Sequence, residues 1–321
     1  MKLSIILTVY NKEHCLGRAF KALLSQKDTI ESDFEIIVVN DGSTDDSNSI
    51  ISGYEKADKR VRVLTQENQG LSMARNNGVS IAYGDYVWFV DADDVITLNA
   101  VNLVCDAINS SPDVIAVYAN TYGSPIVRNA VPVNAKTGQD IILSQQWEQC
   151  GVFWIINRSF LLRNHLSFMP GIYHEDAEFT PRMLYYAKSV SIIPEVLYIV
   201  FQEQGSITNT PQAKRAFDCL TVAESLCLFI ESNRERGSVI GNEIDKTICV
   251  ILNNALSIVL QNEIDDIVSF NQCFYEKRET FLRPLSTSSC IKYRIEAVLF
   301  IMFPKRYVSV YRTLKRLSSL K

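Results

Sequence analysis

The first 120 residues alternate short apolar runs with longer segments in which apolar residues recur every three or four positions. The apolar runs predict strands over Leu3–Val9 and over residues 35–39, 61–64 and 86–90. The intervening segments have helical spacing, as in residues 13–26. Repeated β-α units of this kind predict an α/β fold with a mostly parallel sheet and helices on both faces, because parallel strands need crossover connections.

The pattern weakens after residue 120. Residues 123–138 are rich in Pro, Gly and Asn and predict a loop, while residues 146–156 and 190–200 predict strands on either side of a helix at 176–187. Beyond residue 211 apolar stripes with helical spacing dominate. We therefore predict a catalytic domain over 1–210, with halves at 1–120 and 121–210, and a helical C-terminal region over 211–321.

Composition narrows the functional classes. The net charge of −4 argues against a nucleic-acid-binding protein. Eight dispersed cysteines without a CxxC pair fit reduced thiols in a cytoplasm better than a disulfide framework or a zinc site. The apolar run at the N-terminus is too short for a signal peptide, and no apolar run reaches the roughly 18–20 residues of a membrane span.

The C-terminal residues 291–321 carry eight Lys and Arg residues against one acid, Glu296, and the charges are interleaved with apolar residues. This composition is typical of a segment that lies on an anionic membrane surface. A helix that packs back on the protein with a solvated basic face would give the same pattern.

The strand predicted at 86–90 ends in three carboxylates, Asp91, Asp93 and Asp94. In an extended chain Asp91 and Asp93 point to the same side, and Asp94 points elsewhere and caps the following helix. Ligands of open parallel sheets bind at this edge, and the chain has no Gly-rich turn after the first strand to hold phosphate. The pair therefore predicts a site for Mg²⁺ or Mn²⁺, although an Asp-rich turn that only starts a helix remains open.

Four short motifs occur in order at residues 8–11 (TVYN), 39–45 (VNDGSTD), 68–76 (NQGLSMARN) and 89–94 (FVDADD). Together they resemble a family 2 inverting nucleotide-sugar glycosyltransferase with the GT-A fold, of the bacterial surface-polysaccharide type. The resemblance is strong over residues 1–120 and moderate over 145–210. It implies a UDP-sugar donor and a glycan or lipid-linked saccharide acceptor, at the cytoplasmic face of the cell membrane.

The resemblance also implies roles for single residues. Asp41 would accept the N3–H of uracil, Tyr10 would lie on the base, Asp91 would bind the ribose or a water, and Asp93 would ligate the metal. Thr8 and Arg75 would complete the donor site, with Arg75 near the base or the pyrophosphate. A second group of acids follows at residues 174–178 (HEDAE), where Asp176 would be the catalytic base and Glu175 its orienting partner or the second choice for the base. Residues 204–208 (QGSIT) resemble a loop that closes over the donor phosphates.

Taken by themselves, the residues leave other interpretations open. Acids in the first turn of a helix, such as Glu175 and Asp176, also complement the helix macrodipole. The DADDV sequence fits a haloacid-dehalogenase-like phosphatase, in which Asp91 is the nucleophile and Asp93 the acid/base. A catalytically inactive scaffold subunit with the same fold is the third possibility, because fold alone does not determine function.

Overall fold

The computed structural model describes residues 1–27, 33–202 and 212–318. The chain divides into two compact units. The first comprises Met1–Gly171 with Glu175–Gln204, and the second comprises Ile172–His174 with Gly205–Lys321.

The first unit contains a single mixed sheet with the strand order β3-β2-β1-β4-β8-β6-β9-β5, with β7 paired to β6. Neighbouring strands from β3 to β4 are parallel, and β8 is antiparallel to both β4 and β6. The strands are β1 Leu3–Val9, β2 Phe34–Asp41, β3 Val61–Gln66, β4 Tyr86–Asp91, β5 Val95–Ile96, β6 Val114–Thr121, β7 Val127–Arg128, β8 Trp154–Asn157 and β9 Val190–Val200. The predicted α/β architecture is confirmed, with a parallel first half and a mixed second half.

Every residue of β1 and β2 is buried, so other elements cover both faces of these strands, as continuous apolar runs require. The helices of this unit are α1 Glu13–Leu24, α2 Ser47–Ala57, α3 Leu71–Ile81, α4 Ala100–Ile108, α5 Gly138–Ser144, α6 Arg158–Arg163 and α7 Glu175–Tyr186. The strand predicted at 146–156 is much shorter than expected, because a 3-10 turn at Gly151–Phe153 delays the start of β8 until Trp154.

The strand register places several candidate residues at one edge of the sheet. Thr8 lies opposite Val39 on one side and opposite Asp91 on the other. Asp41 is the last residue of β2, so it lies at the same carboxyl edge. Parallel pairing therefore brings the ends of β1, β2 and β4 together without any further contact being needed.

The second unit is helical. Its helices are α8 Ala213–Ser232, α9 Val239–Val259, α10 Ile264–Glu276, α11 Arg278–Thr287, α12 Ile291–Met302 and α13 Tyr307–Ser318. A cluster of aromatic rings joins α10 to the C-terminal helices, because the Phe274 ring lies 4.8 Å from that of Phe300 and 5.3 Å from that of Tyr307. Within the described parts of the chain, no helix combines the length and the apolar character that crossing a membrane requires.

Glu296 on α12 is a buried acid beside this cluster. Its side chain is almost inaccessible, and Oε1 receives no hydrogen bond from the described residues. Lys292, one turn earlier, lies 3.9 Å from this oxygen. Burial raises the pKa of Glu296 to about 7, and the lysine only partly opposes this effect.

The raised pKa of Glu296 predicts a stability change with pH. An acid with a raised pKa in the folded state stabilises the fold below its unfolded pKa, and this contribution is lost as the pH rises through about 7. We expect Glu296→Gln to have a higher unfolding free energy than wild type at pH 8, by roughly 2 kcal/mol, and to lose this advantage near pH 5. Calorimetry at both pH values checks this, with the exposed Glu276→Gln on α10 as the control, for which we expect no such difference.

Candidate functional site

Asp41, at the end of β2, has an almost fully hydrogen-bonded carboxylate. Oδ1 accepts hydrogen bonds from Gln66 Nε2 at 2.7 Å and from Gln69 N at 2.8 Å, and Oδ2 accepts one from Gly70 N at 2.9 Å. A carboxylate offers about four acceptor positions, so one remains on Oδ2. Gly42 follows with φ of 74°, in the left-handed region, and a Cβ there would meet the backbone of Asn68 at 2.8 Å. The NDG turn is thus both a structural turn and a place where a single donor group can still bind.

The end of β1 presents one buried and one open side chain. Thr8 is buried beside Asp91, whereas Tyr10 is 47% exposed. The intervening backbone is fixed by Asn11, which has φ of 51°; its N–H donates to Ser43 Oγ at 3.1 Å and its Oδ1 accepts from Thr44 N at 2.8 Å. The Tyr10 ring is therefore available for a flat ligand at the edge of the sheet.

The acids at the end of β4, namely Asp91, Asp93 and Asp94, differ from the expected extended geometry. The strand ends at Asp91, and a turn closes with Asp94 N donating to Asp91 O at 3.0 Å, so the expectation of period-two side chains does not extend to Asp93. Asp93 Oδ2 instead binds Lys12 Nζ at 2.5 Å. Asp93 thus pairs with Lys12, whereas Asp91 pairs with a different cation, Arg75.

Asp94 does not cap the helix that follows, as the sequence predicted. Asn99 precedes α4, and Asp94 is buried, accepting from Tyr198 Oη at 2.9 Å and from Phe201 N at 2.8 Å. Tyr198 Oη also accepts a hydrogen bond from Asp91 N at 3.1 Å. Burial, with the nearby charge of Asp91, raises the pKa of Asp94 to about 7. Asp94 therefore links the end of β9 to the acidic turn at residues 91–94, two segments that are distant in sequence and adjacent in the fold.

Arg75, on α3, lies at the centre of the candidate site. Its Nη1 donates to Glu175 Oε1 at 2.9 Å and to Asp176 Oδ1 at 2.7 Å, and its Nη2 donates to Asp91 Oδ1 at 3.2 Å. The side chain is 1% exposed. Burial disfavours the cation, but the three carboxylates outweigh burial and hold the pKa of Arg75 above its usual value.

The two acids that open α7 have different surroundings. Burial, together with the adjacent charge of Asp176, raises the pKa of Glu175. Asp176 is more accessible than Glu175. Gly151 packs close to the Asp176 carboxylate, because a Cβ at Gly151 would lie only 3.0 Å from Asp176 Oδ1. A more open carboxylate beside a more protected one fits the predicted roles of base and orienting partner.

The structure therefore brings Asp91, Glu175, Asp176 and Arg75 together, and it places Thr8 beside Asp91 at the sheet edge. Residues 204–208, predicted to be a phosphate-covering loop, lie outside the described residues. Sequence reasoning missed the contacts of Lys12, Gly151 and Tyr198. Lys12 could have been noticed, because it follows the first strand at the same edge as the acids.

A divalent ion has a limited set of ligands here. The described residues contain no group of three or more His, Cys, Asp or Glu side chains suited to hold a metal. Mg²⁺ typically takes only one or two carboxylates and fills its shell with water and substrate phosphates, and Asp93 can provide one such carboxylate. The residues present therefore fit an ion that binds with a phosphorylated ligand, provided that Lys12 yields its place on Asp93 Oδ2.

Comparison with known proteins identifies the family. The glycosyltransferase EpsH of Bacillus subtilis is 30% identical over 243 residues, which cover 72% of this chain and 70% of that protein. The family described as "Glycosyl transferase family 2" matches residues 4–163. The chain belongs to glycosyl transferase family 2. The glycosyltransferase YibD of Escherichia coli is 30% identical over 65% of this chain, and the match spans 63% of the length of YibD.

The solved structures agree with the GT-A fold of family 2. S. aureus TarS 1–349, in complex with UDP-GlcNAc, superposes with a TM-score of 0.76 at 19% identity. The match covers 98% of this chain and 92% of the TarS chain. At this identity the comparison establishes the fold, which is the one expected for a family 2 member.

Proposed function

We propose that the chain is an inverting glycosyltransferase that moves a sugar from a UDP-sugar to a saccharide acceptor. The observation that carries the proposal is the cluster in which Asp91, from one end of the sheet, and Glu175 and Asp176, from α7, share Arg75. This cluster joins a donor-side acid to a candidate base in one place. Family 2 membership and the complex of TarS with UDP-GlcNAc support the same reaction.

The donor site is proposed along the carboxyl edge of β1, β2 and β4. The remaining acceptor position on Asp41 Oδ2 suits the N3–H of uracil, whereas cytosine has no hydrogen at N3 to donate. The exposed ring of Tyr10 suits the face of the base, and Thr8, two residues earlier, is proposed to complete the donor site. Asp91, one third exposed, is proposed to bind the ribose.

Asp176 is the proposed base. It takes the proton from an acceptor hydroxyl while the hydroxyl oxygen forms its bond to the anomeric carbon. The bond from that carbon to the phosphate oxygen breaks on the opposite face, and UDP leaves with the electron pair. Glu175 keeps Asp176 in place through their shared contact with Arg75.

Asp93 is the proposed ligand for Mn²⁺ or Mg²⁺. A bound ion would neutralise charge on the departing diphosphate, as a Lewis acid. In this chain Lys12 Nζ lies 2.5 Å from Asp93 Oδ2, so Lys12 and a metal would compete for the same oxygen. The displaced ammonium is then proposed to contact the diphosphate.

The experiment that tests the function is a UDP-release screen with common UDP-sugars and saccharide acceptors, in the presence of Mn²⁺ or Mg²⁺. We expect UDP release and a new glycosidic product with at least one UDP-sugar. Release of free phosphate from a generic phosphoester, without UDP, would instead support the phosphatase chemistry of Asp91 and Asp93. A family member without either activity would fit the scaffold alternative.

We also propose that the acceptor is lipid-linked, in surface-polysaccharide synthesis, and that the enzyme binds the inner face of the cell membrane. The support is the outward face of α12, where Ile291, Ile295, Val298 and Met302 are all exposed at helical spacing. Exposed basic residues flank this stripe, namely Lys292, Arg294, Lys305 and Arg306. Apolar residues edged with cations are complementary to an anionic lipid surface.

A triple substitution tests the membrane contact. We expect Ile291→Ser, Ile295→Ser and Val298→Ser together to lower binding to phosphatidylglycerol vesicles about tenfold or more, because three apolar side chains that would enter the lipid are lost. Flotation measures the binding. Val239, Val250 and Val268 are exposed on other helices, and their triple Ser variant is the matched control. Equal binding of both variants would show that α12 does not enter the lipid surface.

A further inference from the structure

The surroundings of the Arg75 guanidinium suit carboxylates and leave little room for a ligand. Its guanidinium is enclosed, with its Cζ 5.0 Å from the centre of the Phe168 ring and 5.9 Å from that of Phe89. Its two terminal nitrogens already hold three carboxylates. Only 1% of the side chain is exposed, so a diphosphate could reach the guanidinium only if this packing opened, and a direct donor contact conflicts with the burial.

We infer that Arg75 is a positioning residue, which orients Asp176 and connects it to Asp91 on the donor side. This inference rests on the proposed function. Nη1 holds Asp176 and Glu175, while Nη2 holds Asp91, and a planar guanidinium fixes the angle between these directions. A shift of Asp91 when the ribose binds therefore moves the group that holds Asp176.

The charge balance gives Arg75 a second effect on the same acids. Three carboxylates share one cation, and the pKa of Glu175 is already raised by burial and by Asp176. Without the guanidinium, Glu175 would lose the cation that opposes these two effects and would hold its proton to higher pH. A structural role that only stabilises the fold would not produce this change.

Arg75→Lys and Arg75→Met test the inference through steady-state kinetics. For Arg75→Lys, which keeps the charge but loses the fork, we expect kcat to fall about a hundredfold with the Kd for UDP changed less than threefold. For Arg75→Met, we expect the acid limb of kcat/KM to move about one pH unit higher. Arg62→Lys is the control, since Arg62 also pairs with a buried acid, Glu35, but lies outside this cluster.

A thermal double-mutant cycle gives a readout that needs no activity. We expect Asp176→Asn to lower Tm by about 4 °C in the wild-type background and to leave it unchanged or higher in Arg75→Met, where it removes a repulsion. Equal shifts in both backgrounds would overturn the inference. So would loss of UDP binding in Arg75→Lys together with an unmoved acid limb in Arg75→Met, since Arg75 would then be a donor contact. If the wild-type protein makes no product, the proposed function is wrong, but the double-mutant cycle still shows whether Arg75 holds Asp176.

Discussion

Asp176→Asn is expected to lower kcat about a thousandfold, while the Kd for UDP stays within a factor of about three. Asparagine has nearly the same shape as aspartate and can still accept the hydrogen bond from Arg75 Nη1. It cannot take a proton from an acceptor hydroxyl at neutral pH. The loss should therefore appear in the chemical step and not in donor binding, and isothermal titration with UDP beside initial-rate kinetics separates the two.

The control for Asp176→Asn addresses the simplest structural explanation. Acids in the first turn of a helix stabilise it through the macrodipole, by about 0.3–1 kcal/mol. Asp265 lies in the first turn of α10 and is exposed, so Asp265→Asn has the same change of charge at an equivalent helical position. We expect it to leave kcat unchanged. If Asp176→Asn and Asp265→Asn both retained full activity, Asp176 would have only the helix-stabilising role.

The fold was largely predictable because its first half follows local rules. Strands such as β1 and β4 are continuous apolar runs, and the parallel pairing of β1 with β4 then sets Thr8 opposite Asp91. The short β8 was overpredicted, because apolar periodicity does not reveal the 3-10 turn at Gly151–Phe153. Buried apolar residues in that turn have the same composition as a strand.

The site was predictable as a set of residues but not as a set of contacts. Arg75 and Glu175 are 100 residues apart, so their pairing depends on how α3 and α7 pack on the sheet, and no local pattern encodes it. Arg75 would be an ordinary helix charge in isolation. The same applies to Asp94, whose partner Tyr198 is 104 residues away. The order of residue types along the chain predicts neither of these long-range contacts, because both depend on tertiary packing.

Asp93→Asn is expected to lower kcat/KM about a hundredfold or more and to weaken binding of Mn²⁺ in the presence of UDP by at least tenfold. The amide oxygen is a poorer ligand than a carboxylate for a hard cation. Electron paramagnetic resonance of free Mn²⁺ measures the binding without turnover. Asp113→Asn is the control, because Asp113 also pairs with a cation, Arg163, but lies immediately before β6 and not at the acidic turn.

Lys12→Met gives the complementary result. Because Lys12 occupies Asp93 Oδ2 at 2.5 Å, its removal frees the carboxylate, and Mn²⁺ alone should bind more tightly than to wild type. The combination of Mn²⁺ and UDP should gain less, since the ammonium is then missing beside the diphosphate. If Asp93→Asn bound Mn²⁺ with UDP as wild type does, Asp93 would not be the metal ligand. The Lys12–Asp93 pair would then be an ordinary ion pair, worth about 1 kcal/mol or less at this exposure.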